Sequence, residues 1–148
     1  MTGVQTCALP ISNENYIDRN SSERLGLYTQ KVADQFFGYV RPQENGNKTD
    51  IRYWRVLNAQ GRGLEFRATG KMECSALNYL PEDLDGGEDK GRQQMHSGDL
   101  MPRQLTVVQV QQRQMGTGCV NSWGAWPRGE YQMPYKDYDF TYVVRPVK

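Results

Sequence analysis

The stretch "DIRYWRVLNAQGRGLEFRATG", Asp50 to Gly70, holds two runs with aromatic and β-branched residues on either side of the tetrapeptide "QGRG". Aromatic and β-branched side chains favour strands, and glycine tolerates the positive φ that a tight turn requires. We therefore expect Gly61 and Gly63 to supply positive φ angles in a turn. The stretch as a whole predicts a β-hairpin.

Three further stretches predict strands. The run "YDFTYVV", Tyr138 to Val144, alternates with a period of two and places Tyr138, Phe140, Tyr142 and Val144 on one face. The runs "LTVVQVQQRQM" from Leu105 and "MECSALNYL" from Met72 are further strand candidates. Several short strands joined by Gly-, Asn- and Pro-containing turns predict an all-β fold, an antiparallel β-sandwich.

A single short helix is expected, in "PEDLDGGEDKG" from Pro81. Proline suits the first helical position, and Glu82 and Asp83 suit the positive end of the helix dipole. Gly86 and Gly87 are expected to end the helix after about one turn.

Composition argues against several kinds of partner. The chain has 18 Lys and Arg against 17 Asp and Glu, so it has no bulk field to attract nucleic acid or anionic lipid. No run approaches the roughly 20 apolar residues of a membrane span. We therefore expect neither a nucleic acid nor a membrane as a partner.

The cysteines and the histidine do not suggest a metal site. Cys7, Cys74 and Cys119 are widely separated and form no CxxC or Cys/His cluster, so neither a structural zinc nor a disulfide framework is expected. His96, the one histidine, lies in a Gly/Gln/Asp-rich segment and is expected on the surface.

Carboxylates are the usual catalytic groups in glycoside chemistry, but sequence spacing cannot place two of them at the ~5–5.5 Å that a retaining glycosidase requires. Glu14, Glu44, Glu65 and Glu73 are among the candidates. Glu14 and Glu44 each precede an asparagine in a turn-like context, which favours a structural role.

The stretch "QMGTGCVNSWGAWP", Gln114 to Pro127, carries two tryptophans on a glycine-rich loop. An indole on such a loop can stack on the apolar face of a sugar while Asn or Ser side chains bind its hydroxyl groups. Alternatively, Trp123 and Trp126 close one end of the sandwich. The residues alone leave both interpretations open.

The first twelve residues, "MTGVQTCALPIS", have no Lys/Arg start or long apolar run of a secretory signal. They resemble a translated sequencing adapter. We therefore expect residues 1–12 to be a non-native or disordered leader, and residues 13–148 to form the domain.

Several short sequence motifs occur in an order that resembles one protein family. They are "NENYIDR" from Asn13, "LYTQKVADQFFGYVRPQENGNKTDIRYW" from Leu27, "NAQGRGL", "PEDL", "QMGTGCVNSWG" and "YDFTYVVRP". Together they resemble the C-terminal, small-chain domain of bacterial β-galactosidases of glycoside hydrolase family 2. The resemblance covers residues 13–148 and implies the C-terminal half of a supersandwich like that of galactose mutarotase.

By this resemblance the chain is part of a retaining enzyme that hydrolyses terminal β-galactosides such as lactose. The resemblance places both catalytic glutamates, and the magnesium and sodium ions, on a separate barrel. It therefore implies no catalytic residue, cofactor or metal in this chain, and no activity of the chain alone. It also implies that the missing barrel is a partner, that the parent enzyme is a homo-oligomer and that it is cytoplasmic.

Within the chain, the resemblance implies that Trp123 stacks on the glucose or other aglycone ring, while Asn121 and Ser122 shape the loop. Trp126 gains no role from it and is expected to pack. One departure concerns Cys119 and Val120, which stand where the family usually has Gly and Asp. The alternative hypothesis is a freestanding carbohydrate-binding module.

Overall fold

The computed structural model describes residues 3–8, 14–21, 24–40, 43–85, 96–118, 121 and 124–148. The strands of these segments are β1 Gly3–Ala8, β2 Gly26–Lys31, β3 Lys48–Ile51, β4 Tyr53–Leu57, β5 Gly63–Ala68, β6 Met72–Leu77, β7 Val107–Gln111 and β8 Tyr142–Val147. The helix α1 spans Pro81–Leu84, and single 3₁₀ turns span Val32–Gln35, Ser97–Asp99 and Gly129–Tyr131.

The strands form two antiparallel sheets. The first sheet has the order β2-β1-β4-β5-β8 and the second has the order β3-β6-β7. Each strand pair is antiparallel. The predicted all-β, antiparallel sandwich is confirmed.

The predicted hairpin is the pair β4–β5, in which Leu57 pairs with Gly63 and Trp54 with Phe66. Gly61 has a φ of 77°, as expected for the turn. The expectation for Gly63 is wrong, because this residue lies in β5 and has no positive φ. A Cβ atom at Gly63 would lie 1.9 Å from the carbonyl oxygen of Val56, so glycine is required there by close backbone approach.

The hydrophobic core joins both sheets through strands β3, β4 and β6. Its fully buried members include Ile51, Trp54, Met72 and Ala76. Every residue of β6 is buried. Cys74, a free cysteine of this strand, is among them, and burial raises the pKa of its thiol.

The other sequence predictions are mostly confirmed. The strands expected in "LTVVQVQQRQM" and "MECSALNYL" are β7 and β6, and α1 is one turn long with Pro81 at its first position. Gly86 and Gly87 lie outside the described residues. The strand expected from Tyr138 begins only at Tyr142, because Tyr142 pairs with Ala68, the last residue of β5, and residues 138–141 pair with none of the described strands.

Residues 3–8 form β1, which pairs with both β2 and β4. These residues belong to the segment that the sequence analysis assigned to a leader. The boundary between a leader and a domain at residue 13 stays a prediction.

Candidate functional site

Three of the segments that carry the family resemblance meet in one hydrogen-bonded cluster. They are residues 14–19, residues 44–49 and residues 114–118. Each is a loop or lies at the start of a strand, so its backbone groups need partners from elsewhere in the fold. We call the three segments together the loop cluster.

Glu14 links the first segment to the second. Its Oε2 accepts a hydrogen bond from the backbone N–H of Gly46 at 2.9 Å, and its Oε1 lies 3.2 Å from Nη2 of Arg19. The Tyr16 hydroxyl, which has one proton to donate, lies 3.4 Å from Oε2 of Glu14 and 3.4 Å from the carbonyl oxygen of Glu44. Burial, and next the negative charge of Glu14, raise the pKa of Tyr16. These contacts support the structural role expected for Glu14.

Two buried asparagines join the same segments. The backbone N–H of Asn15 donates to the carbonyl of Asn47 at 2.9 Å, and Nδ2 of Asn47 returns a bond to the carbonyl of Asn15 at 3.0 Å. Oδ1 of Asn15 accepts the N–H of Thr49 at 2.6 Å. The asparagines therefore provide hydrogen-bond partners for backbone groups that are buried and cannot bind water.

Glu73, on β6, links the cluster to the third segment. Its Oε2 accepts Nδ2 of Asn47 at 3.2 Å and the backbone N–H of Gln114 at 3.0 Å. Burial raises the pKa of Glu73 to about 7, although hydrogen bonds from Asn47, Gln114 and Thr49 act in the opposite direction. Glu73 thus changes charge near neutral pH while it holds the start of the loop that leads to Trp123.

Asp18 holds the same loop slightly further along. Its carboxylate accepts the backbone N–H of Thr117 at 3.1 Å and that of Gly118 at 2.8 Å. The neighbouring Gly116 donates its own N–H to the carbonyl of Tyr131 at 2.8 Å. Every backbone N–H from Gly116 to Gly118 is therefore bonded within the fold.

The sequence-predicted site residues lie just beyond these anchors. Asn121 is exposed, and its Oδ1 accepts the backbone N–H of Ala125 at 3.4 Å. Its role in sugar binding stays a prediction. Ser122 and Trp123 lie outside the described residues, as do Cys119 and Val120. The packing role expected for Trp126 is wrong, because this residue is 72% exposed.

A cleft of about 870 Å³ lies beside the loop cluster. Its lining includes Glu44, Gln109, Gln111, Arg113, Gln114 and Thr117. Amides, a carboxylate and a guanidinium offer both donors and acceptors, which is the chemistry that binds a molecule rich in hydroxyl groups.

The sequence analysis named Glu73 only as one of several candidate carboxylates, and it did not identify Asp18 as a candidate. Asp18 lies in the word "NENYIDR", which carried the resemblance, but nothing local in that word indicates a partner about a hundred residues away. His96 is exposed, as expected, and its Nδ1 lies 3.2 Å from the carbonyl oxygen of Val40.

Within the described part of the chain, no group of three or more His, Cys, Asp or Glu side chains is placed to hold a metal ion. The same residues contain no helix that is long and apolar enough to span a membrane.

Comparison with known proteins identifies the family of this chain. The family described as "Beta galactosidase small chain" matches residues 12–144. A β-galactosidase of Priestia megaterium is 34% identical over 136 residues, which are 91% of this chain and 12% of that protein. A β-galactosidase of Halalkalibacterium halodurans is 35% identical over 136 residues, 90% of this chain and 13% of that protein.

A β-galactosidase of Lactobacillus delbrueckii subsp. bulgaricus is also 35% identical, over 137 residues that make up 91% of this chain and 13% of that protein. The chain thus spans about an eighth of the length of these relatives. With the family match over residues 12–144, the likeness establishes that the chain belongs to the β-galactosidase small-chain family.

Proposed function

We propose that this chain is the small-chain domain of a retaining β-galactosidase and that it supplies Trp123 as the surface on which the aglycone sugar stacks. The parent enzyme hydrolyses terminal β-galactosides such as lactose through a covalent galactosyl intermediate. Its two catalytic glutamates lie on a barrel outside this chain, so the chain alone is inactive.

The observation that carries the proposal is the fixed base of the loop that holds Trp123. At the start of the loop, the backbone N–H groups of Gln114, Thr117 and Gly118 donate to carboxylates. A tryptophan whose face is already oriented contributes more to sugar binding, because ordering a mobile loop costs binding free energy. The polar cleft beside the base offers hydrogen-bonding groups for the hydroxyls of the same sugar.

The other properties of the parent follow from the family resemblance. By the same resemblance, we propose that the magnesium and sodium ions of the parent bind on its catalytic barrel. We further propose that the catalytic barrel and other copies of the parent are its partners, and that the enzyme acts in the cytoplasm.

Titration of the chain with lactose and with glucose, followed by tryptophan fluorescence, tests the proposal. Trp123→Ala is the test variant. Trp126→Phe is the matched control, because Trp126 is exposed on the same loop and reports non-specific effects of sugar. A saturable change that persists in Trp126→Phe and disappears in Trp123→Ala supports the stacking role.

The same titration separates the proposal from a freestanding binding module. Tight, saturable binding by the chain alone favours a module that works without a barrel. Weak or absent binding by a folded sample argues against a freestanding module, and the comparison of Trp123→Ala with wild type is then made in the full-length parent enzyme. Hydrolysis of a chromogenic galactoside by the chain alone would contradict the assignment of the catalytic glutamates to the barrel.

A further inference from the structure

We propose that Asp18 is a positioning residue for the loop that carries Trp123. Its carboxylate captures two consecutive backbone N–H groups at the start of that loop and so determines the direction in which the loop leaves the fold. The inference rests on the proposed function only for what the loop then binds.

Each carboxylate oxygen of Asp18 accepts a different backbone N–H group. Oδ1 of Asp18 lies 3.1 Å from the backbone nitrogen of Thr117, and Oδ2 lies 2.8 Å from that of Gly118. The Thr117 hydroxyl also lies 3.4 Å from Oδ1. A charged acceptor that binds two adjacent donors constrains both the position and the orientation of the peptide unit between them.

The glycines of "GTG" fit this arrangement sterically. A Cβ atom at Gly116 would lie 2.6 Å from Oδ2 of Asp18 and 3.0 Å from Cβ of Tyr131. Gly118 has a φ of 78°, and a Cβ there would lie 2.9 Å from the carbonyl oxygen of Ala125. The first glycine therefore makes room for the carboxylate, and the second lets the two ends of the loop meet.

Asp18 is itself well supported. The backbone N–H of Arg19 donates to the carbonyl of Tyr16 at 2.8 Å, which closes a turn around Asp18. Tyr16 and the adjacent Asn15 are buried. The carboxylate therefore projects from a turn that is attached to the buried part of the loop cluster, and this support fixes the position of the acceptor that Thr117 and Gly118 bind.

This arrangement relates two segments that are far apart in sequence. The contacts join residues separated by 99 and 100 positions. A small displacement of a sugar platform weakens stacking strongly, because stacking depends on the separation and tilt of the two rings. Removal of the Asp18 carboxylate should therefore change sugar binding without any contact between Asp18 and the sugar.

The test measures amide hydrogen exchange by NMR in the wild-type chain, in Asp18→Ala and in Asp18→Asn. We expect the amides of Thr117 and Gly118 to exchange about tenfold faster or more in Asp18→Ala, and to an intermediate extent in Asp18→Asn, which keeps one acceptor oxygen. The amide of Gly116, which donates to Tyr131, is expected to change less. Asp34→Asn, an exposed aspartate elsewhere, is the control.

Unchanged exchange of Thr117 and Gly118 in a folded variant would overturn the proposal. If Asp18→Ala does not fold, the nearly isosteric Asp18→Asn decides between the two results.

Lactose binding, followed by fluorescence in a Trp126→Phe background, supplies the functional half of the test. We expect at least a several-fold weaker affinity in both Asp18 variants and no change in Asp34→Asn. Binding that is unchanged in both variants would overturn the positioning role. If the wild-type chain gives no lactose signal, the exchange data still decide on the anchor, so failure of the proposed function is distinguished from failure of this inference.

Discussion

Strands β6 and β8 each have six residues, most of them apolar, but the fold places them in opposite environments. All six residues of β6 are buried. In β8, Tyr142, Val143 and Val144 are 43–48% exposed. The strand β6 lies between β3 and β7, whereas β8 lies at the edge of the sheet among the described strands, with β5 as its neighbour. The position within a sheet, more than the sequence of the strand, determines how much of it is buried.

Among the changes that test how position in a sheet affects stability, removal of β1 should have the largest effect. Among the described strands, β2 pairs with β1 alone, so a variant without residues 2–11 leaves β2 with no ladder partner. We expect a loss of several kcal/mol of stability, since the six residue pairs of the β1–β2 ladder are lost and each hydrogen bond contributes roughly 0.5–1.5 kcal/mol. Denaturant unfolding and amide exchange of β2 measure it.

Unchanged stability and unchanged exchange in β2 after truncation would show that the fold does not depend on β1. That result would support the prediction that residues 1–12 are a leader outside the domain. The second sheet, β3-β6-β7, shares no strand pair with β1 and supplies the internal control.

The next largest effect is expected in the core around β6. Met72 is fully buried, so Met72→Ala leaves a cavity and should cost about 2–5 kcal/mol of unfolding free energy. Urea denaturation measures it. A cost below about 1 kcal/mol would mean that β6 is not packed as tightly as its burial indicates.

Glu73 makes the stability of β6 depend on pH. Its pKa is raised from 4.5 to about 7 in the folded chain, so the folded state holds a proton that the unfolded state has lost between these values. Stability from this residue is therefore lost as pH rises from about 4.5 to 7, by at most about 3 kcal/mol at roughly 1.4 kcal/mol per pH unit.

Glu73→Gln removes this titration. We expect the unfolding free energy of the variant, relative to wild type, to increase between pH 4.5 and pH 8. Urea midpoints at the two pH values measure the change, and contributions from other titrating groups cancel in the difference. A difference that stays constant with pH would contradict the raised pKa.

The smallest effect is expected on β8. Val144→Ala removes two methyl groups from a residue that is 47% exposed, and it should cost less than about 1 kcal/mol. Urea denaturation beside Met72→Ala gives the direct comparison. A cost equal to that of Met72→Ala would show that the exposed face of β8 is covered in solution, for example by a second copy of the chain.

Local sequence signals predicted a large part of the fold. The hairpin β4–β5, the strands β6 and β7 and the one-turn helix α1 were all predicted from alternation, turn residues and the position of Pro81. The error at β8 has a physical reason, since the alternation in "YDFTYVV" continues past the point where the partner strand β5 ends at Ala68. The family resemblance was confirmed, whereas the stacking role of Trp123 stays a proposal.

The sequence by itself determined the fold class, the main turns and the family, because alternation, glycine positions and motif words are local properties of the chain. Only the tertiary structure decided that Glu73 and Asp18 bond the backbone of residues 114–118 and that β6 is buried while β8 is exposed. The reason is that hydrogen bonds and burial depend on neighbours in space. The partners of Asp18 are about a hundred residues away, and no local pattern encodes that distance.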